Sequence, residues 1–276
     1  MLLYVFLVLS LAVSAATVVG TVGFASLHAL WVCPLSFVGC YLGLVLLYAL
    51  VLFLSGVFID PQKPVENDSP YHRFMLNELA RIGFFLGGAR VHSTGLEKVP
   101  RDGRFLLVSN HVTIFDPLVF LHQLPWAKLG FIAKKEAFGY FLVGPYLRKI
   151  LCLPIDREND REALKTILTA IRFVKEDKIS VGIFPEGKCN LTDELLLQFR
   201  SGAFKIAQKA GIPIVVCCTA GTKHLLRQMF RKRTDLYLDV LDVVPAEEVA
   251  GHSTVELAER IYPIMRAGLE KRLDVI

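Results

Sequence analysis

From Met1 to Ile59 the chain contains no Asp, Glu, Lys or Arg, and every formal side-chain charge lies from Asp60 onward. An ordinary soluble domain carries roughly 25% charged residues, so the two parts of this sequence call for different solvents. A helix needs about 20 apolar residues to cross the hydrocarbon core of a bilayer. The uncharged stretch has room for two, over approximately Leu2–Val22 and Leu35–Ile59. Gly23, Trp31 and Pro34, in the intervening GFASLHALWVCP, are turn and membrane-rim signals. A cleaved signal peptide ending near VSAA would need a basic leader and an apolar run that stops, and neither is present. A buried apolar hairpin in a soluble protein is the other reading of such a stretch. The link between the two helices is uncharged, whereas Lys63 and Arg73 follow them, which places the rest of the chain on the cytoplasmic side.

Beyond Asp60 the pattern changes. PQKPVENDSP reads as a polar linker, and Tyr71–Leu86 repeats apolar residues at helical intervals. Tyr71, Phe74, Met75, Leu79, Ile82, Phe85 and Leu86 form one side of that helix, with Arg73, Asn77 and Arg81 opposite. Such a helix packs on a domain or lies in a membrane interface. Short apolar runs then alternate with helical patterns. Strands are expected at 104–109, 129–133, 150–155, 179–184, 212–217 and 236–244. Asn159 and Glu162 form a capping box before a helix with the apolar face Ala163, Leu164, Ile167, Leu168, Ile171 and Val174. Further helices are expected over 201–210, ending at Gly211, and over about 254–272. This alternation specifies an α/β domain with a central mixed sheet flanked by helices, preceded by an N-terminal transmembrane helical segment.

The net charge of +5 belongs wholly to residues 60–276 and suits an anionic membrane face or phosphorylated substrates. Its densest basic stretch, Lys223 to Arg233, fits a solvated helix face or a lipid or donor contact. The six cysteines show no C-x-x-C spacing and read as reduced thiols. No nucleic-acid module, internal repeat or zinc-ligand spacing occurs.

Two constellations carry candidate chemistry. The first, Asn110-His111-Val112-Thr113-Ile114-Phe115-Asp116-Pro117, directly follows a strand. A histidine can take the proton of an alcohol near neutral pH, and a carboxylate on its other ring nitrogen orients it. Five residues along a helix would turn the two side chains about 140° apart, so they must meet across a turn. Asp116 before Pro117 is also an ordinary helix start. The second, Ile183-Phe184-Pro185-Glu186-Gly187-Lys188-Cys189-Asn190, also ends a strand. There Gly187 permits close backbone approach and Lys188 can meet a phosphate. Arg157, closing the strand Pro154-Ile155-Asp156, offers either a phosphate fork or a surface ion pair with Glu158 or Asp160.

Taken in this order, these residues resemble the glycerolipid acyltransferase superfamily, which includes the lysophosphatidic acid acyltransferases. The matching elements are Asn110, His111 and Asp116 of N-H-x4-D; Asp156 and Arg157; Phe184 to Gly187 of F-P-E-G; Ile212 to Val215; and Ala133-Lys134-Lys135-Glu136. The resemblance covers roughly Val91 to Val244. With the patterns above, the chain divides into a membrane anchor over 1–59, a linker and amphipathic helix over 60–90, and, as the resemblance implies, an acyltransferase domain over 91–276.

It also implies transfer of a fatty acyl group from acyl-CoA or acyl carrier protein to a lysophospholipid hydroxyl, making phosphatidic acid. His111 would be the general base and Asp116 its orienting partner. Lys134, Arg157 and Lys188 would hold the acceptor's phosphate, and Glu186 and Gly187 would shape the site. Neither a bound cofactor nor a metal is implied. The departure is at Lys188-Cys189-Asn190, where the family often has Thr-Arg-Ser, so an arginine associated with acceptor phosphate is missing. Glycerol phosphate or another lysolipid is an alternative acceptor. Cys189 as an acyl-carrying nucleophile and a catalytically silent membrane scaffold are the other readings.

Overall fold

A computed structural model describes residues 1–61, 63–156, 159–228 and 231–275. Arg157 therefore lies outside the described residues, as do two positions within the basic stretch 223–233. The chain divides into two compact units, Met1–Gln62 and Lys63–Ile276.

The first unit is a helical hairpin of α1 (Leu2–Thr21) and α2 (Ala29–Val57). Phe6, Ser10, Ser14 and Val18 form a buried stripe on α1, spaced by four residues as one helix side requires. Tyr48, Leu52 and Gly56 form the same kind of stripe on α2. The remaining faces are apolar and exposed, including Tyr4, Leu35 and Phe58, as expected of helices whose outer solvent is hydrocarbon. α2 begins at Ala29, so Trp31 and Pro34 lie inside it and the turn occupies 22–28 instead. Pro34 removes one helical N–H donor, and nearby Ser14 and Ser36 hydroxyls donate to the Cys33 carbonyl at 2.7 and 3.1 Å. α1 has 20 residues and α2 has 29, each with mean hydropathy 2.5. Both are long and apolar enough to cross a membrane, and they point to membrane association.

The second unit is built on a seven-stranded mixed sheet flanked by helices. Helix α3 (Pro70–Leu86) precedes β1 (Ala89–Thr94) and β2 (Leu106–Val108). There follow α4 (Asp116–Gln123), β3 (Leu129–Lys134), α5 (Gly144–Lys149), β4 (Leu153–Ile155) and α6 (Asp160–Lys175). The remaining elements are β5 (Ser180–Ile183), α7 (Lys205–Ala210), β6 (Ile214–Ala220), α8 (Thr222–Gln228), β7 (Thr234–Val244), α9 (Ala246–Gly251) and α10 (Thr254–Glu270).

The strand order is β1-β7-β6-β2-β5-β3-β4. β6, β2, β5, β3 and β4 are mutually parallel; β7 runs antiparallel to β6, and β1 pairs with β7. The carboxyl ends of five strands thus share one edge, where ligands usually sit in α/β sheets. β6 is buried along its whole length, as expected of an inner strand covered on both faces. Leu106, Val108, Val181 and Val216 join residues of α6, α7 and α10 in one core cluster.

Four local expectations change. β1 carries Arg90, His92 and Ser93, too polar to announce a strand, and its exposed and partly buried residues alternate at the sheet edge. The run 150–155 is a strand only from Leu153, because the chain turns at Leu151 with φ +60°. On α6 the buried residues are Ala170, Phe173 and Val174, while Leu164 and Leu168 face solvent. On α3 the two sides mix: Met75 and Ile82 of the expected apolar side are buried, but so are Arg73 and Glu78, while Tyr71, Phe74, Phe85 and Leu86 are exposed. Arg73 pairs with Asp68 at 2.7 Å and donates to the Leu129 and Ile150 carbonyls, which ties α3 to the start of β3.

Candidate active site

After Val108 the chain leaves β2 but stays buried through Ser109 and Asn110. The Asn110 amide clamps the neighbouring strand: Nδ2 donates to the Thr219 carbonyl at 3.0 Å, and Thr219 N–H donates to Oδ1 at 2.8 Å. This bridge fixes the loop that carries His111 against the end of β6.

Asp116 is the first residue of α4 and is fully buried. Its carboxylate turns back toward the preceding loop. Oδ2 accepts from Val112 N–H at 2.7 Å, Thr113 N–H at 2.8 Å and His111 Nδ1 at 2.9 Å. Oδ1 accepts from the Thr222 hydroxyl at 2.6 Å. The side chain that could have capped the helix thus holds a histidine across a turn. Thr222, at the carboxyl end of β6, is a partner that sequence reasoning missed. A hydroxyl at a strand's carboxyl end was the available signal.

The imidazole of His111 lies parallel to the ring of Phe184, with centroids 4.1 Å apart and planes inclined by 13°. Its main chain is pinned as well. His111 N–H donates to Glu186 Oε1 at 2.6 Å, and its carbonyl accepts from Asn190 N–H at 2.6 Å. On the far side of the ring, Cys189 Sγ is 3.1 Å from Nε2. Burial disfavours the imidazolium, but the hydrogen bonds to Asp116 and Cys189 and the charge of Asp116 outweigh it and raise the ring to about 9.

Glu186, expected to contribute to the substrate site, spends both oxygens on backbone. Oε1 takes His111 N–H and Oε2 takes Leu197 N–H at 2.9 Å. Burial pushes its carboxyl up, against the lowering by these two bonds. Glu186 therefore fastens the His111 loop to the segment at 195–200. Gly187 has φ +75°, and a Cβ there would lie 2.8 Å from Arg200 Nε and 2.9 Å from Arg200 Cδ. The glycine is needed for its conformation, and it leaves room for the arginine laid across it. Lys134, at the carboxyl end of β3, and Lys188 are both exposed on this edge of the sheet. Among the described residues no cluster of three His, Cys, Asp or Glu could hold a metal ion.

This arrangement, a carboxylate-oriented histidine at the carboxyl edge of a mixed α/β sheet, has the groups needed to move a proton to or from a hydroxyl or thiol. The acyltransferase family model matches residues 90–220, which include every site residue described above except Thr222. A 1-acyl-sn-glycerol-3-phosphate acyltransferase of Bacillus subtilis is 32% identical over 162 residues, covering 58% of this chain and 76% of that protein. One from Borreliella burgdorferi is 24% identical over 204 residues, covering 73% of this chain and 79% of its own length. The crystal structure of the 1-acyl-sn-glycerophosphate acyltransferase from Thermotoga maritima has the same fold. Its TM-score is 0.60 at 23% identity, with coverage of 82% of this chain and 88% of that one. The chain belongs to the glycerolipid acyltransferase family. It is an O-acyltransferase, and enzymes of this type need no cofactor.

Proposed function

We propose that the chain transfers a fatty acyl group from an acyl thioester, acyl-CoA or acyl carrier protein, to the free hydroxyl of lysophosphatidic acid, giving phosphatidic acid. The observation that carries the mechanism is the 2.9 Å bond between His111 Nδ1 and Asp116 Oδ2, which directs Nε2 away from the buried carboxylate. Nε2 takes the acceptor hydroxyl's proton as its oxygen attacks the thioester carbonyl, and returns it to the departing thiolate. An imidazole held near 9 is protonated at neutral pH in the resting site. Turnover runs through the neutral form, in which Nε2 has released its proton to solvent before the acceptor hydroxyl takes the place of Cys189 Sγ. Lys134, Arg157 and Lys188 supply positive charge for the acceptor's phosphate, while Glu186 and Gly187 keep the loops in place. α1 and α2 cross the bilayer and hold the catalytic unit at its cytoplasmic face, where single-chain acceptors reside. Relatives named as 1-acyl-sn-glycerol-3-phosphate acyltransferases support the choice of acceptor.

The test is full-length protein in lipid nanodiscs, given labelled acyl-CoA or acyl carrier protein and a panel of lysolipids plus glycerol 3-phosphate. Labelled phosphatidic acid from the wild type, and none from His111→Ala, is expected. An active His111→Ala enzyme would remove the mechanism, and preference for a phosphate-free acceptor would remove the substrate assignment.

A second reading rests on the 3.1 Å contact between Cys189 Sγ and His111 Nε2, a nucleophile-and-base arrangement in which the thiol itself carries the acyl group.

A further inference from the structure

Cys189, just after the Phe184–Gly187 turn, has its sulfur 3.1 Å from His111 Nε2 and brings no positive charge to the loop. The loop nevertheless has a guanidinium beside it. Arg200 N–H donates to the Pro185 carbonyl at 2.8 Å, so residue 200 is pinned alongside the Phe184–Gly187 turn. From there its side chain crosses the open face of Gly187, with Cζ 3.6 Å from where a Cβ would stand. The neighbouring Leu197 N–H is tied to Glu186, so the whole segment is held to the loop by two backbone contacts. Arg200 is exposed and has no ion-pair partner among the described residues. The other arginines of this unit that do pair, such as Arg73, Arg104, Arg172 and Arg272, meet carboxylates. A long cationic side chain that is located by its own backbone, given room by a glycine and left without a counter-charge is preorganised for an anion that arrives from solvent.

We propose that Arg200 grips the phosphate of the acceptor, serving as the specificity-determining cation of this site. The inference rests on the reading that the acceptor is a phosphate-bearing lysolipid. The chemistry favours a phosphomonoester, since a planar fork of donors matches two phosphate oxygens and a dianion gains more from it than a diester does. Location favours the acceptor over the donor's own phosphates. Gly187 lies two residues from Cys189, whose thiol touches the base, and in lysophosphatidic acid only a few bonds separate the reacting hydroxyl from the phosphate. Lys188, on the same turn, adds a point charge without directing geometry.

The experiment uses the full chain in nanodiscs, with Arg200→Ala, Arg200→Lys and Arg200→Gln, varying lysophosphatidic acid and acyl-CoA in turn and adding monoacylglycerol as a phosphate-free acceptor. Loss of a charge-assisted fork should raise the KM for lysophosphatidic acid about 10- to 100-fold. The KM for acyl-CoA and kcat should change little, as for a contact made equally in ground and transition states. Arg200→Lys should fall between wild type and Arg200→Ala, and preference for lysophosphatidic acid over monoacylglycerol should shrink by the same factor. Glycerol 3-phosphate should compete with lysophosphatidic acid in the wild type and lose that effect in Arg200→Ala. Three outcomes overturn the proposal: an unchanged acceptor KM, a rise confined to the donor KM, or equal losses of kcat for both acceptors together with a lowered melting temperature. A wild type that prefers monoacylglycerol would instead overturn the parent reading before any variant is made.

Discussion

Asp116→Asn separates charge from shape at the site. In the native loop two backbone N–H groups, from Val112 and Thr113, already point at Oδ2. An asparagine must therefore place its carbonyl oxygen there and turn its NH2 toward Thr222, whose hydroxyl can reverse and accept. With an oxygen still facing Nδ1, the histidine keeps its Nδ1–H tautomer, and the loss of about 10⁴-fold that follows a wrong tautomer is not expected.

What disappears is the negative charge. His111 stands at about 9 against an ordinary 6.5, even though burial pulls it down. That net rise corresponds to about 3 kcal/mol in favour of the imidazolium. Asp116 is the first of the groups that raise it. Removing it should move the acidic limb of kcat/KM down by roughly 1–3 pH units. The imidazolium formed during attack loses the same support, so plateau turnover should fall about 10²-fold. The assay is kcat/KM against pH for wild type and Asp116→Asn in nanodiscs, with a melting curve to confirm the fold. An unmoved limb with full turnover would refute the orienting role and leave Asp116 a purely structural loop anchor.

The same rise makes stability depend on pH. A folded pKa above the unfolded one stabilises fully below about pH 6.5, and that contribution, about 3 kcal/mol, is lost as pH climbs through 9. Melting temperatures of wild type and His111→Gln should therefore diverge most below pH 6.5 and converge above 9. Cys189→Ala should keep turnover within about 3-fold while lowering the pH of the acidic limb, since one group that raises His111 is gone. Alkylation of Cys189 in the wild type should block the site, and abolished turnover in Cys189→Ala, with an acylated wild-type thiol, would favour the covalent reading. Thr222→Val leaves the buried Asp116 Oδ1 without its 2.6 Å donor and should cost about 1–3 kcal/mol of stability. An unchanged melting temperature would show that the carboxylate finds another partner. High-salt or carbonate extraction should leave the full chain in the membrane pellet, and release without detergent would contradict bilayer-spanning α1 and α2.

How far the sequence could be read depended on whether the controlling contact was local. The uncharged first 59 residues and the strand-ending motifs are local patterns, and the sheet class followed from their alternation. Pro34 misled because proline is a turn signal, yet it lies inside an α2 that runs unbroken from Ala29 to Val57. On α3, Arg73 reads as an outward charge until Asp68 and the Leu129 and Ile150 carbonyls are brought to it by the sheet. The periodicity of α6 gave a helix with the wrong center to its buried face, because Phe173 wins the contact with the core over Leu164 and Leu168.

Within the site, spacing suggested that His111 and Asp116 meet across a turn. Thr222 and Arg200 were out of reach of spacing, since each is joined to a motif only by tertiary folding. Cys189 shows the remaining gap. As a letter it was a departure from the expected Thr-Arg-Ser, whereas in space its sulfur lies 3.1 Å from His111 Nε2. The two side chains carry separable chemistry: the Cys189 sulfur stands beside His111 Nε2, and the Arg200 guanidinium lies over Gly187. The two predict different kinetics. A change at Cys189 should act through the pH profile and a change at Arg200 through acceptor affinity, so the double variant Cys189→Ala/Arg200→Ala should show both shifts, each unaltered by the other. Strong coupling between them would mean that thiol and guanidinium act on one substrate group, contrary to the division of labour argued above.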